Sequence, residues 1–166
     1  MARGLQTLQV LSVVCVAAVV VAGYLAAQHM MGMARHIAVG FLAALFVAFT
    51  HSMTLFYLIG SSGNVREAIR PYGWKEYLPR MARFHRVLSP WLTFAILAAI
   101  AAVITGGGAH TKVWPAWLHQ VTALATLAIN GIAAWKGIAV IRENVALQRE
   151  LDAALRREQR RGAEGA

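Results

Sequence analysis

Twenty-four consecutive residues, from Leu88 to Thr111, contain no aspartate, glutamate, lysine or arginine. About 20 apolar residues suffice, as an α-helix, to cross the ~30 Å hydrocarbon layer of a bilayer. A helix in a water-soluble core needs far less continuous apolar surface. Three further runs share this character, and the spans are expected at about 8–27, 37–60, 88–105 and 117–141. The sequence therefore predicts an all-α integral membrane protein. Its four-transmembrane-helix bundle occupies residues 1–141, and a charged helical tail occupies residues 142–166. Charged residues make up 14% of the 166, against about 25% in a soluble domain. The first run follows Arg3 and ends in small residues, as a signal peptide would. It is longer than the usual apolar stretch of such a leader, so it is expected to be a retained span.

Orientation follows from lysine and arginine, which accumulate on the cytoplasmic side. Of the 16 basic residues only Arg35 and Lys112 fall in the two connections on one side. The other 14, with all seven acidic residues, lie in the N-terminus, the 61–87 segment, and the end of the fourth span together with the tail. Both termini are thus expected inside, and the composition suggests a bacterial inner membrane. The net charge of +9 is explained by this topology and by attraction to anionic lipid. Nucleic-acid binding is not expected, because no soluble domain interleaves these cations with stacking aromatics.

The inner connection opens with Ser61-Ser62-Gly63-Asn64, read as a turn. It continues with Tyr72, Trp74, Tyr77 and Phe84 among basic residues, as in a segment lying at the headgroup layer. In the tail, Leu147, Leu151 and Leu155 recur every four residues, which predicts a helix continuing from the fourth span. That stripe either snorkels along the membrane surface or docks a partner subunit. No internal repeat stands out, and residues 160–166 should fray.

No carboxylate lies inside any span, which argues against a carboxylate proton relay. There is no phosphate-binding loop, no hydrolase motif, and no soluble segment long enough to build an active-site domain, so a self-contained enzyme is not expected. The lone Cys15 supports neither a disulfide nor covalent haem attachment. Histidine is what stands out. His36 opens the second span and His119 the fourth, both from the outer side. His51 lies about 22 Å further inward along the second span, and His85 near the inner start of the third. An imidazole in lipid is costly unless partnered.

Two imidazoles from facing helices can ligate one haem iron axially, an arrangement suited to electron transfer. The expected pairs are His36 with His119 outside and His51 with His85 inside. The inner pairing requires the third helix to begin before Pro90. This layout resembles that of membrane dihaem b cytochromes, in which one helix carries two ligands at comparable separation. The resemblance implies one or two b haems, electron carriage across or within the membrane, and exchange with quinone as part of a larger complex. Arg80, Arg83 and Arg86 are candidates to neutralise inner propionates, and Arg35 or Lys112 outer ones. A second expectation is a non-catalytic anchor subunit with structural histidines, contacting partners through the inner loop and the C-terminal helix. A third is copper, held by His29, Met30, Met31, Met33 and His36 in the first outer connection. Asn130 reads as interhelical glue and Cys15 as a small buried apolar residue.

Overall fold

The computed structural model describes residues 1–164. Four helices account for nearly all of them: α1 (Ala2–Ala27), α2 (Met33–Ile69), α3 (Tyr77–His110) and α4 (Ala116–Glu164). Each is long and apolar enough to cross a membrane. Consecutive helices pack side by side and α1 closes on α4, so the four form a square with α2 and α4 on one diagonal. One end carries the two short connections, 28–32 and 111–115. It is the end expected to face outward, and is called the outer end below. The tail and the α2–α3 turn lie at the other.

The bundle is apolar outside and partly polar within. Phe41, Leu45, Phe49, Phe94, Leu97 and Leu124 are each more than half exposed, whereas Gln9, Ser12, Thr50, His51, Thr54 and Asn130 are wholly buried. The core is also uneven along its length. Towards the inner end it holds large side chains, among them Leu58, Phe84, Leu88, Leu92 and Leu147. Towards the outer end its cluster is Val16, Val47 and Ala99, with Ala44 and Leu127 alongside.

Two element boundaries, and the placement of the tail, differ from the sequence expectation. First, α2 runs on through Ser61-Ser62-Gly63-Asn64 to Ile69, because tertiary contacts outweigh turn propensity there. Ser61 donates to Asn144 Oδ1 at 2.9 Å, and Val65 and Ile69 are buried. The chain turns after a short 3-10 segment, Arg70–Tyr72, at Gly73, whose φ of 68° is the left-handed conformation glycine tolerates. Second, α3 begins at Tyr77 and runs through Pro90. It also continues through Gly106-Gly107-Gly108 to His110, because His119 and Trp114 lie over Gly106 and Gly108 where a β-carbon would sit.

Third, the tail is not a free extension. α4 is continuous across residue 142 and helical to Glu164, and Gly165 and Ala166 lie outside the described residues. Leu147 and Leu151 are buried against the α2–α3 hairpin with Val65, Ile69, Tyr77 and Met81. Arg80 meets Glu150 at 2.7 Å and Arg83 meets Glu143 at 3.6 Å. Leu147 and Leu151 are therefore covered within the chain, with Leu155 partly buried beside them.

Candidate functional site: a diagonal histidine pair

Both short connections end their first helix in the same way. Beyond Ala27, the Met30 N–H reaches the Leu25 carbonyl at 2.9 Å and the His29 N–H the Ala26 carbonyl at 3.1 Å. Beyond His110, the Val113 N–H reaches the Gly108 carbonyl at 2.9 Å and the Lys112 N–H the Ala109 carbonyl at 3.2 Å. These are two Schellman motifs. Each places a non-glycine residue in the left-handed region, His29 at φ 57° and Lys112 at φ 61°.

Each turn delivers one histidine into the bundle. His36 is the fourth residue of α2 and His119 the fourth of α4. Their helices are diagonal, yet the ring centroids are 6.1 Å apart with planes inclined at 65°. Each ring is backed by a glycine of the preceding helix. A β-carbon on Gly23 would stand 3.0 Å from His36 Cε1, and one on Gly106 would stand 3.0 Å from His119 Cε1. Thirteen residues separate glycine from histidine in both cases, and five separate glycine from the helix C-cap. The α1–α2 and α3–α4 hairpins are thus equivalent here, with the two imidazoles meeting between them.

The equivalence is broken at one position. Thr105, next to Gly106, puts its hydroxyl 3.5 Å from His119 Nδ1 and shares a 2.7 Å hydrogen bond with Thr122. Its counterpart next to Gly23 is Ala22, and His36 Nδ1 is buried with no partner.

The inner pair does not come together. His85 is helical, as that pairing required, but its Nε2 lies 2.8 Å from Ser62 Oγ. Ser62 is eleven residues beyond His51, about 16 Å further along α2. The packing register of α2 against α3 therefore holds His85 well inward of His51, and the structure does not bring the expected His51–His85 pair together. His51 instead donates from Nε2 to Asn130 Oδ1 at 2.7 Å. Asn130 Nδ2 donates to Ser12 Oγ at 3.3 Å, and Ser12 donates to the Gln9 carbonyl at 2.8 Å. Gln9 Nε2 donates to Thr54 Oγ1 at 2.9 Å. One wholly buried polar layer thus ties α1, α2 and α4, leaving His51 Nδ1, Thr50 Oγ1 and Gln9 Oε1 without partners.

Arg80 and Arg83 pair with the α4 carboxylates Glu150 and Glu143 across exposed surface. Arg86 is exposed. Arg35 is exposed next to His36 at the outer end. Of the copper candidates, Met30 and Met33 face outward, at 76% and 45% exposure. Among the described residues no three or more His, Cys, Asp or Glu side chains gather as an ion-binding group.

From the sequence Gly106 reads only as part of the glycine run that closes the third span, and Gly23, Gln9 and Ser12 do not stand out. The signal for the glycines was available as an identical glycine-to-histidine spacing in two hairpins. The buried polar residues had none beyond their polarity in apolar runs. No known family, no curated protein and no solved structure matches the chain.

Proposed function

We propose that the chain is a b-type cytochrome-like subunit of a bacterial inner membrane, with both termini inside, that holds a single haem at its outer end between His36 and His119. The observation that carries this is the distance between the two rings. An imidazole nitrogen binds a metal at about 2 Å, and its ring centroid lies about 1 Å behind that nitrogen. Two imidazoles on opposite sides of one iron therefore have centroids about 6 Å apart, and here they are 6.1 Å apart. The small side chains of the outer half favour a flat macrocycle in that region. Bound there, the haem would supply one-electron chemistry, which suits electron transfer. His36 and His119 would hold it, and Arg35 is the cation placed to balance a propionate.

With one haem, electron exchange is confined to the outer leaflet. The natural partners are quinone in the bilayer or a redox subunit docked outside, rather than a route through this chain from face to face. The test is a reduced-minus-oxidised visible spectrum of the full chain purified from haem-replete membranes. Soret and α bands at one haem per chain are expected, lost in His36→Ala or His119→Ala and kept in His51→Ala and His85→Ala. A colourless wild-type protein would sink the reading, and would leave the non-catalytic anchor with structural histidines in its place.

A further inference from the structure

The first turns of α1 and the flank of α4 leave a groove of about 300 Å3 between them, lined by Ala2, Arg3, Gln6, Arg142, Val145 and Arg149. Three of these residues are arginines. Arg80, Arg83 and Arg161 each have a carboxylate within ion-pair distance, but among the described residues Arg3, Arg142 and Arg149 have none. The first turn of α1 adds no acidic residue. The groove therefore gathers an uncompensated charge of about three where the apolar runs of α1 and α4 give way to charged sequence. Val145 and Ala2 give its walls an apolar component, and Gln6 adds an amide.

From this juxtaposition we infer that the groove binds the headgroup of an anionic phospholipid of the inner leaflet. Guanidinium groups form bidentate hydrogen bonds with phosphate oxygens. A phosphodiester attached to acyl chains meets both the arginines and the apolar surface that continues outward from them, whereas free phosphate meets only the first. Basic pockets between helices on the cytoplasmic side have the character that selects multiply anionic lipids. The inference rests on the bilayer reading above but is independent of haem.

The full chain, purified in detergent and stripped of lipid, is titrated with phosphatidylglycerol or cardiolipin, with phosphatidylcholine, and with inorganic phosphate. Lipid adducts are read by native mass spectrometry and thermal midpoints in parallel. Anionic lipid should bind and raise the midpoint, and phosphatidylcholine and phosphate should do neither at equal concentration. The combined Arg3→Gln, Arg142→Gln and Arg149→Gln variant should bind anionic lipid at least about tenfold more weakly. An Arg156→Gln, Arg157→Gln, Arg160→Gln variant, which removes the same three charges, should bind as wild type and controls for loss of net charge. Equal binding of both lipids, an unaffected triple variant, or a full effect from phosphate alone would each overturn the inference. Should the triple variant fail to fold, the lipid comparison on wild-type protein still decides. Release of the wild-type chain from membranes by alkaline carbonate would instead overturn the bilayer reading itself.

Discussion

Replacing Asn130 by leucine attacks the buried layer where it joins three helices. The substitution removes the acceptor of His51 Nε2–H and the donor to Ser12 Oγ, both wholly buried. Ser12 keeps its own 2.8 Å bond to the Gln9 carbonyl, so its loss is the smaller one. His51 already has an unpartnered Nδ1, and with Nε2 orphaned the whole ring is stranded. An orphaned buried donor costs about 1–3 kcal/mol in water-soluble proteins. Interhelical hydrogen bonds in membranes couple by only about 0.6 kcal/mol on average, with a maximum near 1.7, because the unfolded chain in lipid also finds partners. The short 2.7 Å bond and the second lost contact place Asn130→Leu at about 2 kcal/mol of destabilisation. The double-mutant cycle is the sharper measurement. His51→Leu combined with Asn130→Leu exchanges a polar pair for an apolar one, so the double variant should be no less stable than Asn130→Leu alone, with a coupling of about 1 kcal/mol. Stability is read by reversible unfolding in mixed micelles. Strict additivity, or a single-variant loss below about 0.3 kcal/mol, would refute the view that this layer is a coupled network.

Leu147→Ala should cost about 2–4 kcal/mol, since Leu147 is wholly buried against the hairpin. It should also open residues 142–164 to limited proteolysis; unchanged protease resistance would mean that the tail is held by other contacts. Arg80→Ala should cost under about 1 kcal/mol, because both members of its ion pair are about half exposed. Lys112→Gly should stabilise by about 1 kcal/mol by relieving the left-handed conformation at φ 61°, and a lowered thermal midpoint would show that the lysine side chain matters more than its backbone.

The parts of the molecule that depend on counting were legible in the sequence. Helix rise and residue number place His36 and His119 a few residues from the ends of two short connections at the same end, which fixes their common depth but not their meeting across the diagonal. What depends on how side chains interlock was not legible. His85 meets Ser62 instead of standing level with His51 because the register of α2 against α3 is set by packing, which no single-helix pattern encodes. The serine–glycine cluster after Gly60 looks like a turn until the partners of its hydroxyls, Asn144 on α4 and His85 on α3, are known. The triple glycine looks like a stop until His119 and Trp114 are seen lying over its backbone. Leu147, Leu151 and Leu155 announced an apolar face correctly, but nothing in the pattern said that the chain's own hairpin covers it.

The matching of the two hairpins has a thermodynamic consequence. Neither hairpin owns the histidine site: each brings one glycine, one left-handed turn and one imidazole, and the site exists only while the two are assembled. Any group that bridged the two imidazoles would thereby be a ligand of the hairpin–hairpin interface, and linkage would require its binding energy to appear as assembly energy. Filling the outer end of the bundle and clamping its two halves together are then a single equilibrium, observed from two sides.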